Sequence, residues 1–203
     1  MKEIPIIFST EMVKAILDNR KFMTRRVIKP QPLWVAEPYV PFKTPDADPK
    51  GIIKCPYGQP GDRLWVRETW CNEWKDPDGW TDGFLYRADG VEVADVDGGL
   101  GKSPWRPSIH MPKIAARIWL EVVSVRVERL QDINVDDVIR EGLEADNNIL
   151  NPDPSTHESI KNWNLAWAQH VFRELWDKLN AKRGYGWDTN PWLWVVEFRR
   201  VQP

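Results

Sequence analysis

The sequence predicts an α+β fold: a small curved sheet or open β-barrel with helices along its edges. Two observations point there. Short apolar runs with strand character are spread through the 203 residues rather than gathered in one block. Helical patterns fall between them in irregular order, which suits mostly antiparallel pairing better than a regular parallel sheet. The length fits one domain, residues 1–203, with a real hydrophobic core.

The elements follow in order. Ile4–Phe8 reads as an opening strand, and Ser9 and Thr10 offer helix caps. Met12, Val13, Ile16 and Leu17 then fall on one face of a short helix. Asp18-Asn19 closes it, because asparagine tolerates the left-handed backbone that ends helices. "TRRVIK" continues extended, and residues 30–60, with eight prolines, read as an irregular loop. "PGDRLWVRETW" is a turn feeding a strand in which Leu64 and Val66 alternate with Trp65 and Arg67. Residues 72–105 are rich in Gly and Asp and read as an inserted hairpin with long loops, carrying one strand-like island, "FLYRA". The longest β signal runs from about Ala116 to Leu130. Asn134 caps a short helix, "VDDVIREGL", with acids in its first turn and Gly142 near its end. A second insertion, residues 146–160, is largely a polar loop. The strongest helix carries Trp163, Trp167, Val171, Leu175 and Leu179 every fourth residue, widened by Phe172 and Trp176. Gly184 and Gly186 stop it, and "PWLWVVEFRRV" closes the chain as an inner strand.

Composition removes several function classes. Lys+Arg total 28 against 30 Asp+Glu, so the chain cannot coat nucleic acid by bulk charge, although one basic patch remains open to it. No apolar run is long enough for a membrane span, and "MKEIPIIFST" is too short in its apolar part for a secretory signal. The two cysteines, Cys55 and Cys71, make no disulfide framework, so the expectation is a cytoplasmic protein with free thiols. His110, His157 and His170 are scattered and lie at no ligand spacing with the cysteines, so neither metal nor other cofactor is expected. His170 is expected beside the buried stripe of the long helix, as a structural histidine. Phosphate-cradling glycine motifs are absent. The thirteen tryptophans are the outlier, and core packing is the first use for most of them.

"DNRKFMTRRVIK" remains, with a lysine, a threonine and two arginines in six residues after a helix end. It can be a solvated basic turn, a nucleic-acid grip or a chemical centre. A threonine hydroxyl needs a base or a positive neighbour to become a nucleophile, and a lysine serves as base if burial depresses its pKa. Lys21 and Thr24, three apart, could share a face, and an arginine fork suits a carbonyl or phosphate.

"NRKFMTRR" resembles the signature of the ASCH domain, a PUA-like family, in which a helix ends in Gly-x-Lys-x-x-Thr-x-Arg. Lys21, Thr24 and Arg26 stand at those places; the signature's Gly is Asn19, and the position after the lysine, often Thr, is Phe22. "GQPGDRLWVRE" resembles the family's Gly-Asp turn and barrel strand, "VIREGL" its short acid-bearing helix, and "WLWVVEF" its last strand. The length and "WRPSIHMP" are similar to a longer phage- and prophage-associated branch.

The resemblance implies an activity, that of N4-acetylcytidine amidohydrolases, which use a Lys, a Thr and a Glu. Carried over, these are Lys21, Thr24 and Glu141, with Arg26 holding the ligand and Arg25 facing solvent. Arg67, Glu68, Trp70 and His110 are the remaining candidate substrate-binding residues. The partner so implied is a modified nucleoside or nucleobase, or RNA. In the competing reading the chain is a binding module of PUA type. Arg25, Arg26, Lys29 and Arg67 then contact phosphates while Trp65, Trp70 or Trp105 stacks on a base. A ribonuclease is a third, remoter option.

Overall fold

The computed structural model describes residues 1–32, 54–71, 83–90, 105–143 and 157–202. Most of the expected insertions at 72–105 and 146–160, much of the proline-rich loop at 30–60 and the side chains of His157 and Trp163 lie outside what is described. The elements are β1 (Glu3–Ile7), α1 (Thr10–Leu17), β2 (Met23–Val27), β3 (Arg63–Arg67), β4 (Trp70–Cys71), β5 (Leu85–Tyr86), β6 (Trp119–Arg129), α2 (Val135–Arg140), α3 (His157–Asn180) and β7 (Trp192–Val201).

Five strands form one mixed sheet in the order β1-β3-β6-β7-β2, an α+β arrangement. β1 runs parallel to β3, and the other pairings are antiparallel. The sheet does not close: β1 and β2 are its edges. β4 and β5 make a separate two-residue ladder, Trp70↔Tyr86 and Cys71↔Leu85, so "FLYRA" is a strand only at its centre. Pro107 and Pro112 each precede a short 3-10 turn, Ser108–His110 and Lys113–Ala115. The long strand accordingly begins at Trp119, not at Ala116.

Two cores lie on opposite faces. Ile6, Phe8, Leu64, Val66, Leu120 and Val122 pack with Val13 and Ile16 of α1 on one face. Leu130, Val138 of α2, and Ala168, Phe172 and Trp176 of α3 pack on the other. β7 serves both, sending Trp194, Val196 and Phe198 to the first and Leu193 to the second. That double burial explains its unbroken apolar run. Of the tryptophans, Trp70, Trp119, Trp176, Trp187 and Trp194 are buried.

The buried line of α3 is Ala168, Phe172 and Trp176, one residue round from the Trp167–Val171–Leu175 line expected, and Leu179 is exposed. An every-fourth-residue repeat advances about 40° per step on a helix of 3.6 residues per turn, so five members cannot keep one face. His170, expected beside the stripe, is exposed and lies 3.5 Å from Glu174, one turn on.

The exit from α1 decides where the functional stretch goes. Ser9 accepts from the Met12 amide, as a cap should. At the other end Asn19 adopts φ 55°. The Arg20 amide donates to the Ala15 carbonyl (2.8 Å) and the Asn19 amide to that of Ile16 (3.1 Å), a Schellman closure. The Lys21 amide also reaches Ala15 (3.0 Å), so the chain reverses tightly and delivers Lys21 beneath the helix end. Because the left-handed region strains a Cβ, Asn19→Ala is expected to destabilise the fold by about 1 kcal/mol, whereas Asn19→Gly is neutral or slightly stabilising. Urea midpoints of the two variants check this; equal midpoints would deny Asn19 its closing role.

Candidate active site

Lys21 and Glu141, 120 positions apart, form an isolated antiparallel bridge, and the neighbouring Phe22 amide donates to the Arg140 carbonyl at 2.8 Å. The Lys21 ammonium donates to Glu141 Oε2 at 2.6 Å and to the Glu141 carbonyl at 2.8 Å. Both side chains are buried. α2 brings Glu141 there through Asn134, whose side chain accepts from the Asp137 amide at 2.9 Å. Gly142, at φ 89°, lets the chain turn away so closely that a Cβ on it would lie 2.9 Å from the Cβ atoms of Ala15 and Lys21.

Burial pulls the Lys21 amine below its ordinary pKa. Glu141 opposes that, while Arg26 and Arg25 add to it. The Phe8 ring lies beneath both cations, 5.9 Å from Lys21 and 5.2 Å from Arg26.

Strand alternation sorts the rest of the motif. Thr24 and Arg26 stand opposite Val196 and Trp194, residues of the α1-side core, so they share that face. Thr24 is buried. Arg26 lies across the gap between the two sheet edges. It donates to the Ile7 carbonyl of β1 at 2.6 Å, with the Tyr57 ring 5.8 Å away. Its Nε is buried without a partner, and burial lowers its pKa from the ordinary value.

Arg25 corrects the expectation that it faces solvent: its side chain is fully buried on the helix side. It donates to Asp137 (2.7 Å), Glu128 (3.2 Å) and the second oxygen of Glu141 (3.5 Å), and lies 5.9 Å from the Phe172 ring. A buried guanidinium is tolerable when its fork is occupied, and here three carboxylates occupy it. Glu141 therefore turns one oxygen towards Lys21 and the other towards Arg25. Phe22, 39% exposed, is not buried with this pair.

The other candidates gather elsewhere. Glu68 is buried and paired with Arg117 (2.9 and 3.1 Å), which also reaches Asp89 (2.8 Å) and lies over the Tyr86 ring at 3.9 Å. Burial raises the Glu68 pKa, with Arg117 opposing. Trp70 is buried with Met111 and Ala115, and Phe84 and Arg106 lie against its ring, which leaves no open face for a stacked base. His110 is exposed in its short turn. Arg67 bonds the Ile109 carbonyl and lies over Trp65, while its own carbonyl accepts from the Phe8 amide at 3.2 Å. It is thus the one of these four that abuts Phe8. Lys29 lies over the Tyr185 ring at 5.1 Å. Burial pushes the Cys55 thiol up to about 11, far from thiolate chemistry at neutral pH.

Sequence reasoning missed Phe8, Tyr57 and Asp137 and turned Arg25 to solvent. The last two were accessible in principle. A period of two in "MTRRV" puts Arg25 on the opposite face from Thr24 and Arg26, and the acidic pair of "VDDVIREG" is a natural partner.

No protein-family model matches the chain, and no curated protein matches it. Among solved structures, the ASCH domain from Lactobacillus crispatus JV V101 is similar at 16% identity and a TM-score of 0.43, over 100% of this chain and 81% of that one. No helix among the described residues is long and apolar enough to cross a membrane.

Proposed function

We infer that the chain is an amidohydrolase that removes an acyl group from the exocyclic N4 of cytidine or cytosine. The observation that carries this reading is the buried Lys21–Glu141 contact at 2.6 Å, just ahead of an edge strand that carries the buried Thr24. An amine below its ordinary pKa can accept a proton, a carboxylate in contact can pass it on, and a threonine hydroxyl relieved of its proton can attack.

Thr24 Oγ adds to the acyl carbon and its proton goes to the Lys21 amine. The developing oxyanion is held by Arg26, whose guanidinium lies on the same strand face. Glu141 passes the proton from Lys21 to N4 as the carbon–nitrogen bond breaks. Water then opens the acyl-threonine and releases the carboxylic acid. The sum is amide plus water giving acid plus amine, and no cofactor is required.

A panel of N4-acylcytidines and N4-acylcytosines, followed by ultraviolet absorbance, tests this. The wild type is expected to release cytidine or cytosine from at least one member, and Thr24→Val to lower the rate at least ~10²-fold with its folding midpoint unchanged. If no member is hydrolysed while RNA is bound in a salt-dependent manner, the chain is a binding module instead.

A further inference from the structure

A second layer of charge lies behind the Lys21–Glu141 pair and extends far beyond it. Asp137 receives Arg25 at 2.7 Å and Arg126 at 3.2 Å. Arg126 also pairs with Glu128 and Glu197, and Arg140 reaches Glu197 at 3.2 Å. Among the described residues four basic side chains, Lys21 included, meet four carboxylates, so the shape of the cluster, not its sum, decides what each member feels.

We propose that Arg25 is the positioning residue of the Lys21–Glu141 pair: its guanidinium, seated on Asp137 and Glu128, holds one oxygen of Glu141 so that the other meets the Lys21 amine. This rests on the amidohydrolase reading for its catalytic meaning, and on geometry alone for the positioning. The fork is what makes it possible. Nη2 takes Asp137 and Glu128 while Nη1 turns to Glu141 and to the Met23 sulfur at 3.2 Å. Glu141 sits at the C-terminal end of the six-residue helix α2, whose Asp137 is one turn earlier, so Arg25 clamps that helix end at two points. The clamp crosses from β2, which follows Lys21, to α2, which Glu141 ends.

The consequence concerns how Lys21 holds its proton. The groups that face it are Glu141 from α2, Arg25 and Arg26 from β2, and the Phe8 ring. Tyr57 and Arg183 act on Arg26 in turn. Arg25 shares the Glu141 charge with the Lys21 ammonium. Removing Arg25 takes away a cation, commits Glu141 to Lys21 and leaves Asp137 and Glu128 less neutralised. All three changes favour the protonated amine.

The test is the titration of Lys21 itself, read from its side-chain Cε and Nζ nuclear magnetic resonances against pH and assigned with Lys21→Arg. Arg25→Gln is expected to raise the Lys21 midpoint by clearly more than ~0.2 pH units. Arg25→Lys keeps a charge by Asp137 but not the fork. It is expected to move the midpoint in the same direction by less, and it decides the matter if Arg25→Gln gives no native spectrum. A variant that lowers the melting temperature yet leaves the Lys21 midpoint within ~0.2 pH units of the wild type would overturn the proposal, because a group that only packs does not move a neighbour's titration. The measurement needs no substrate. A protein that hydrolyses no acylcytidine would end the amidohydrolase reading and leave this outcome to be decided separately.

Discussion

Lys21→Met is expected to lower kcat/KM on an N4-acylcytidine by at least ~10³-fold, because without the amine the Thr24 proton has no acceptor. Methionine matches the length of the lysine stem, so the loss falls on the charge and its hydrogen bonds. Glu141 then keeps its Arg25 contact and loses the one at 2.6 Å. Stranding one partner of a buried pair costs about 3–5 kcal/mol when nothing else satisfies it. Here the residual Arg25 contact reduces the loss, and the variant is expected to remain cooperatively folded with a lower urea midpoint. Lys21→Met/Glu141→Gln, which removes the stranded charge, is expected to regain part of the stability and none of the activity. A Lys21→Met protein as active as the wild type would end the proposed chemistry outright.

The pH dependence of the same residue follows from its direction of shift. Lys21 lies below its ordinary value in the folded protein, chiefly through burial. Between that lowered value and about 10.4, the unfolded chain binds a proton that the folded one does not. Stability from this group therefore rises with pH through that window and is absent below it. Turnover is expected to rise over the lower edge of the same window, where the amine becomes neutral. Lys21→Met removes that term, so the wild-type and variant stability curves should draw apart as pH increases. Parallel curves would mean that the amine does not titrate there.

The parts of the fold legible in the sequence are those set by local rules. Ser9 and Asn134 are caps, Asn19 takes the left-handed turn, and Leu64 and Val66 alternate with Trp65 and Arg67. Each is decided by atoms a few residues apart. Parallel pairing of β1 with β3 has no such local signal, since 59 residues lie between Ile4 and its register partner Leu64. The same holds inside the site. Residue chemistry singled out Lys21, Thr24 and Glu141 only with the help of a resemblance, because 120 positions separate the lysine from the glutamate it touches. Arg25 was misplaced for a physical reason: arginine belongs at the surface unless its fork is filled, and the carboxylates that fill it come from β6 and α2. The partner of Glu68 was hidden in the same way, because Arg117 lies 49 positions on.

Gly142→Ala is expected to destabilise the protein by roughly 2–4 kcal/mol and to lower turnover out of proportion to the unfolded fraction. Two effects combine. At φ 89° any side chain is strained, and the new Cβ would lie 2.9 Å from the Cβ atoms of Ala15 and Lys21. Neither of those atoms is the free end of a flexible chain, so relief must come from backbone. Shifting Ala15 disturbs the carbonyl that closes α1 and receives the Arg20 and Lys21 amides. Shifting Lys21 draws its amine from Glu141. Either way the strain at one glycine is transmitted to the reacting pair. Ala15→Gly/Gly142→Ala separates the contributions, since it clears one contact and leaves the other and the left-handed strain in place. It is expected to recover part of the stability but little activity, as Lys21 remains displaced. A Gly142→Ala protein with an unchanged urea midpoint and unchanged kcat/KM would show that the helix end can retreat freely, and that the Lys21–Glu141 contact is not held by this close approach.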